Sequence, residues 1–398
     1  MDIYTKSVEL HRKNRGKLAV APCVKVKDKH DLSLVYTPGV AQVCREIMAD
    51  PKESFELTWR GRTVAVVSDG SAVLGLGNIG AESAMPVMEG KALLFKKFGG
   101  VEAVPLCINL HTADEIVNFV KAIAPSFGGI NLEDITAPLC IEVEDRLQDL
   151  GIPVIHDDQQ GTAIVVSAAL VNAAKVVGKK YEDLKVVISG AGSAGLAIAQ
   201  MLLGVERRNG ELVLYKDDPC KVGEVVILDS KGIITEDSGE WKGKFAKVTN
   251  REKKIGNLAR AMVGADVFIG VSKGGLVTSE MVSTMADGAI VIAMANPEPE
   301  ILPDKAKKGG ARIVGTGRSD YPNQVNNSLI FPGLFRGLLD SHATKISVGI
   351  KQVARDALAN FVVPTEDKIL PSMFDKGQAE AIAQAVAEQV RKEGLKRK

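Results

Sequence analysis

The run Lys185-Val186-Val187-Ile188-Ser189-Gly190-Ala191-Gly192-Ser193-Ala194-Gly195 passes from a short apolar strand straight into a glycine turn. An apolar helix is expected over 196–203. The spacing of Gly190, Gly192 and Gly195 matches the fingerprint in which backbone N–H groups at a helix N-terminus meet a pyrophosphate. The motif alone is weak, and the strand before it and the helix after it make it persuasive. Gly190, Gly192, Ser193, Ala194 and Gly195 are therefore candidate dinucleotide contacts. An acidic residue should end the next strand, about 20 residues on, to bind ribose hydroxyls. Asp229, after a strand over 225–228, fits that role but comes late, and an insertion over 206–223 explains the delay. Asp217 and Asp218 are closer in spacing but end no clear strand.

Outward from this run the pattern stays α/β. Strands are expected over 64–67, 103–108, 129–132, 153–155, 267–271 and 289–293. Helices are expected over 81–98, after a Thr112 cap, and over 162–177. The stretch 346–391 reads as mainly helical, broken by Pro364 and Pro371. Such alternation predicts mostly parallel sheets with helices on both faces. A boundary falls near 155–161, which divides the chain into 1–155 and 156–398. A second GxGxxG, Gly75-Leu76-Gly77-Asn78-Ile79-Gly80, sits several residues past its strand, with no matching acid downstream. It reads either as a loop facing the substrate or nicotinamide, or as a tight structural turn.

Composition narrows the class. The 398 residues carry 50 Lys+Arg against 49 Asp+Glu, a net charge of +1. Broad phosphate neutralisation on nucleic acid, or binding to an anionic membrane, is not expected from that balance. Five cysteines, Cys23, Cys44, Cys107, Cys140 and Cys220, form no CxxC pair, which suits a reducing compartment. No apolar leader opens the chain, and no run of about 18 apolar residues predicts a membrane span. The basic stretch 6–29, with His11, Arg12, Lys13, Arg15 and Lys17, reads as an anionic-ligand patch or, with more weight, as a solvated helix and loop.

Ligands in α/β sheets bind outside the carboxyl ends of strands. Glu133-Asp134 follows the strand over 129–132, Asp157-Asp158 follows 153–155, and Asn296 follows 289–293. Carboxylates without Cys or His partners suit a hard cation, Mg²⁺ or Mn²⁺. The plainer alternative is that these acids cap the following helices. Lys91 lies on a helix with an apolar face. Beside a divalent cation its pKa would be depressed, as a general base requires. Taken alone, a helical lysine is an ordinary surface residue.

Together the segments resemble the malic enzyme family in its small-subunit prokaryotic form. They are Tyr36-Thr37-Pro38-Gly39-Val40, Ser68-Asp69-Gly70, Gly75-Leu76-Gly77-Asn78-Ile79-Gly80, Glu89-Gly90-Lys91-Ala92 and Asn131-Leu132-Glu133-Asp134-Ile135. They continue with His156-Asp157-Asp158-Gln159-Gln160-Gly161-Thr162-Ala163, Ala295-Asn296-Pro297 and Asn326-Asn327-Ser328-Leu329-Ile330-Phe331-Pro332-Gly333. The resemblance implies an amino-acid-dehydrogenase-like α/β substrate domain over 1–155, then a Rossmann-type domain with C-terminal helices over 156–398. It implies oxidative decarboxylation of malate to pyruvate and CO₂ with NAD⁺ or NADP⁺. By the same resemblance Glu133, Asp134 and Asp158 ligate Mg²⁺ or Mn²⁺. Lys91 takes the C2 hydroxyl proton with Asp157 paired to it, and Tyr36 protonates C3. Asn296 and Asn327 contact the substrate, Asn326 stands beside them, and Asn296 also borders the coenzyme.

An arginine that grips a substrate carboxylate in larger relatives is absent here, leaving Ser71, backbone amides or another subunit's cation. The small-subunit resemblance further implies a cytoplasmic homodimer whose sites each combine Tyr36 and Lys91 from different chains. Asp229 would repel a 2′-phosphate and so favours NAD⁺, whereas Arg251, Lys253 and Lys254 would attract one. The length is expected to leave no room for an appended phosphotransacetylase-like domain. Two other functions fit the same motifs. One is malolactic conversion of malate to lactate; the other is a catalytically silent dinucleotide-sensing module, which would not need Tyr36, Lys91, Glu133, Asp134, Asp157 and Asp158 intact.

Overall fold

The computed structural model describes residues 2–73, 75–208, 211–214 and 221–397. Three exposed helices open the chain: α1 (Ile3–Asn14), α2 (Lys29–Val35) and α3 (Val40–Ala49), followed by the short α4 (Ser54–Leu57). None of the four buries a side chain fully. The basic stretch accordingly begins on a solvated helix, the plainer of its two readings.

The first sheet is built from β1 (Thr63–Ser68), α5 (Ala81–Leu94), β2 (Glu102–Cys107), α6 (Ala113–Ile123), β3 (Gly129–Leu132), α7 (Leu139–Arg146) and β4 (Val154–His156). Its four strands are parallel, in the order β2-β1-β3-β4. β1 and β3 are buried along their whole length, which is why both read as continuous apolar runs. Thr112 caps α6 in a capping box with Glu115, as its position before the helix predicts. α5 ends at Leu94, and one π turn over Phe95–Gly99 completes the segment expected over 81–98.

The long helix α8 (Asp157–Val177) joins the two sheets. It starts five residues before the expected 162, so Asp157 and Asp158 form its first turn instead of a strand-end loop. The reason is local: β4 stops at His156, and two acids in a first turn favour helix against the dipole. α8 is long and apolar enough to span a bilayer, but most of it is packed inside the protein, which accounts for its composition.

The second sheet comprises β5 (Lys185–Ser189), α9 (Ser193–Leu203), the hairpin β6 (Val205–Arg208) and β7 (Glu211–Leu214), β8 (Glu224–Asp229), β9 (Gly232–Ile233), α10 (Glu240–Ala246), α11 (Leu258–Met262), β10 (Val267–Gly270), α12 (Ser279–Ser283), β11 (Ile290–Ala293), α13 (Pro303–Lys308) and β12 (Ile313–Thr316). Its order is β12-β11-β10-β5-β8-β9, with only β9 antiparallel and the hairpin standing apart. The strand order reverses between β5 and β10, which opens the crevice where a Rossmann sheet takes its dinucleotide. The insertion expected over 206–223 contains the hairpin; Asp217 and Asp218 lie outside the described residues. Arg207 of the hairpin reaches back to α7, where its Nε stands 2.8 and 2.7 Å from the two Asp145 carboxylate oxygens. β12 (Ile313–Thr316) was not foreseen.

The chain ends on α14 (Phe331–Asp340), α15 (Val348–Asn360) and α16 (Gln378–Lys392). α14 returns to the first sheet, where Phe331 and Phe335 pack on Phe95 with ring centroids 4.6 and 5.3 Å apart.

Candidate active site

A cleft of about 810 Å³ lies between the carboxyl ends of the two sheets. Glu133, Asp134 and Asp158 line one wall with Lys91, and Ser193, Ala194, Ser272 and Asn296 line the other. Asn326 and Asn327 close it from the segment before α14.

Lys91 is the centre of the first wall. α5 carries it inward, and only 7 % of it is exposed. Its Nζ donates to Glu133 Oε1 at 2.8 Å and to Asp157 Oδ2, and stands 4.0 Å from the centroid of the Phe331 ring. Burial works against the ammonium charge, but Asp157, Glu133 and Asp158 outweigh it and raise the Lys91 pKa. The depressed pKa expected for a base is therefore absent from the chain alone: three carboxylates hold the proton on.

Those carboxylates are themselves perturbed. Burial pushes Glu133 up to about 7 and Asp157 up to about 7, against the pull of Lys91. Burial, with Asp158 and Glu133 beside it, pushes Asp134 up to about 9. Burial likewise raises Asp158. Asn131 Nδ2 orients Glu133 at 2.8 Å, and Asp158 Oδ2 accepts the backbone N–H of Asp134 at 2.8 Å. Asp134 adopts φ +53°, a left-handed conformation that Asp tolerates. As the side chains stand, no three His, Cys, Asp or Glu groups among the described residues close on one point. The donor set nevertheless fits a hard cation: three carboxylates share one wall, and burial and mutual repulsion keep them from full ionisation without one.

The spacing of the Asp157-to-Gly161 motif has a steric cause. Gly161 lies one turn after Asp157 on α8, and a Cβ there would sit 1.8 Å from Asp157 Oδ1. Any side chain would push the carboxylate off Lys91.

The coenzyme wall follows the fingerprint. Gly190 has φ +122°, and a Cβ on it would lie 2.7 Å from the Val271 carbonyl oxygen. A Cβ on Gly195 would lie 1.8 Å from the Gly190 carbonyl oxygen, so helix and turn touch there. A Cβ on Gly192 would meet nothing within 4 Å, which leaves its face open to a ligand. Asp229 ends β8 as expected. Partial burial opposes its charge, but Lys242 Nζ, 2.6 Å away, and the Lys231 amide keep its pKa below the ordinary value. The other glycine loop reaches the cleft too: a Cβ on Gly75 would stand 2.3 Å from the Asn296 carbonyl oxygen.

Two candidates stand elsewhere. Ser71 Oγ is already committed, donating to Asp69 Oδ1 at 2.6 Å and accepting from the Thr136 amide at 2.9 Å, and Ser71 is not among the lining residues. Tyr36 ends α2, is 68 % exposed, and is likewise absent from the lining. Conversely, His11 and Lys17 line the cleft, although the basic stretch as a whole reads as solvated. Lys17 is pinned to α5 through its Nζ on the Pro86 carbonyl at 2.6 Å and its N–H on Glu89 at 3.2 Å. Gly16, where a Cβ would lie 2.5 Å from Glu89 Oε1, was the available signal.

A Rossmann crevice facing a buried lysine among cation-seeking carboxylates defines a dinucleotide-dependent oxidoreductase. A family model for the malic enzyme NAD-binding domain matches residues 159–394, and one for the malic enzyme N-terminal domain matches residues 15–115. The chain belongs to the malic enzyme family. It is 49 % identical to the bifunctional malic/malolactic enzyme of Bacillus subtilis, covering 100 % of this chain and 95 % of that one. It is 49 % identical to the NAD-dependent malic enzyme of Geobacillus stearothermophilus, over 96 % of this chain and 78 % of that one. The crystal structure of the NAD-dependent malic enzyme from Thermotoga maritima superposes with a TM-score of 0.90 at 45 % identity, covering 97 % of this chain and 99 % of that one.

Proposed function

We propose that this chain oxidises malate with NAD⁺ or NADP⁺ and decarboxylates the product to pyruvate and CO₂. The observation that carries the reading is Lys91, buried between Glu133 and Asp157 and facing the glycine turn of the coenzyme wall. Glu133, Asp134 and Asp158 are the residues to hold Mg²⁺ or Mn²⁺. When bound, such a cation polarises the C2 oxygen and carboxylate of malate and stabilises the charge left as CO₂ departs. With Glu133 and Asp158 committed to a cation, the proton would be held less firmly on Lys91, and the free amine would take the C2 hydroxyl proton as hydride leaves C2 for the coenzyme. Asp157 keeps the amine aimed. Loss of CO₂ leaves the enol of pyruvate, and Tyr36 returns a proton to C3. Asn296 and Asn327 hold the substrate with Asn326 beside them, and Lys17 answers one of its carboxylates in place of Ser71.

Tyr36 reaches a cleft only if a second copy supplies it. The exposed face of α1–α3, with Ile3, Tyr4, Leu32, Leu34 and Met48 each at least half exposed, supports a homodimer with shared sites. We also place the domain division after residue 155, at the end of β4 just before α8, with α14 crossing back to the first sheet. The four described cysteines are free thiols, in keeping with the cytoplasmic location we assign. Asp229 supports NAD⁺, while Lys242 beside it tempers repulsion of a 2′-phosphate.

The test is malate turnover followed at 340 nm with Mg²⁺ or Mn²⁺ and each coenzyme separately. Absence of NAD(P)H formation under all four conditions sinks the proposal unless lactate accumulates. Lactate without net reduction selects the malolactic reading, which the bifunctional Bacillus subtilis relative favours. The silent-module reading has no support among relatives that are enzymes.

A further inference from the structure

Glu300 lies outside the chemistry described so far, yet it is fully buried. Among the described residues no cation pairs with it. Its carboxylate is held by backbone N–H groups: Ser272 donates to Oε1 at 2.8 Å and Ala295 donates to Oε2 at 3.1 Å. These donors lie two residues past the ends of β10 and β11, neighbouring strands of the second sheet. Both donors line the cleft. The Ser272 hydroxyl in turn stands 3.1 Å from that of Ser189, the last residue of β5 before the glycine turn. One carboxylate thus ties together the ends of three strands that carry the coenzyme wall. Space for it is kept by Gly270, where a Cβ would fall 2.2 Å from the Glu300 carboxyl carbon.

Burying an unpaired anion is costly, and two backbone amides, with the Ser272 hydroxyl at 3.5 Å from Oε1, offset that cost here. Burial accordingly raises the Glu300 pKa although both amides pull it down. An apolar residue would avoid the cost but would leave the buried Ala295 N–H and the partly buried Ser272 N–H without their acceptor. We propose that Glu300 is a positioning residue for the coenzyme: it fixes the loops at Ser272 and Ala295 at the spacing that NAD(P) requires, without touching the coenzyme. The inference rests on the coenzyme reading of this cleft, and its test uses coenzyme binding, not malate turnover.

Glu300→Gln keeps size and shape but turns an N–H toward one of the two amide donors. Gly270→Ala leaves the charge intact and displaces the carboxylate. NADH titrated into the full-length chain, followed by its own fluorescence, reads the dissociation constant. Both variants are expected to weaken NADH roughly tenfold, the effect of one unpaired buried donor. In turnover, the coenzyme KM should rise by more than kcat falls. Thermal melting without coenzyme separates this from general loosening. NADH affinity within twofold of wild type in both variants, with only the melting temperature lowered, overturns the proposal. If Glu300→Gln does not fold, Gly270→Ala decides alone. A wild-type chain that bound no NADH would remove the coenzyme reading itself and this role with it.

Discussion

Replacing Lys91 by methionine separates its chemical role from its electrostatic one. The side chain keeps its length and its contact with Phe331 but loses the charge between Glu133 and Asp157. A positioned general base contributes about 10²- to 10⁴-fold, so kcat for malate oxidation should fall by roughly that factor. Decarboxylation of added oxaloacetate, which needs no base at the C2 hydroxyl, should survive. Stability should respond with a defined pH dependence in metal-free buffer. In the wild type Asp157 and Glu133 both sit at about 7, well above their unfolded values, so their contribution to stability declines from about pH 4 and levels off above 7. Lys91 pulls both values down, so in the variant both rise further. The variant's folded state then keeps protons above pH 7 that its unfolded state has lost. The gap in stability between wild type and variant should therefore widen above pH 7 by roughly 1.4 kcal/mol per pH unit for each carboxyl. Below pH 6 the gap should shrink, because both carboxyls are neutral in either protein. Turnover is read at 340 nm, and stability from urea or thermal unfolding between pH 5 and 9. An unchanged kcat refutes Lys91 as base, and a gap independent of pH refutes the buried charge triad.

Other outcomes follow from the same geometry. Tyr36→Phe and Lys91→Ala homodimers should each be nearly inactive; after mixing and subunit exchange, activity should return to about a quarter of wild type, since half the dimers are hybrids with one intact site. No recovery despite demonstrated exchange places both residues in one chain's site. Asp158→Asn should weaken Mn²⁺ at least about tenfold in paramagnetic resonance titrations, while NADH binding stays; unchanged Mn²⁺ affinity removes Asp158 from the ligand set. Lys242→Ala uncovers the Asp229 charge and should lower kcat/KM for NADP⁺ several-fold relative to NAD⁺, and an unaltered ratio shows that the pair does not discriminate coenzymes.

Much was legible where function depends on a local backbone shape. Lys185–Ser189 and its glycines identify the coenzyme turn, because the three glycine roles are decided within eleven residues. The acids at 133–134 and 157–158 stand out because strand ends are visible as breaks in apolar runs. Thr112 was readable as a cap for the same reason. By contrast, Ser71 and Lys17 misled, since what each side chain touches depends on segments 65 and 69 residues away.

The sequence by itself determined the mostly parallel α/β pattern and the dinucleotide turn, and offered the candidate residues for the acid–base and cation site we propose. Only the tertiary structure decided that Lys91 is buried and holds its proton. The same holds for Glu300 beneath the coenzyme wall. Local pattern follows from the chain's own periodicity, whereas desolvation and charge pairing depend on which distant elements meet. Lys91, Glu133 and Asp157 become one electrostatic unit only when α5, the end of β3 and the start of α8 converge.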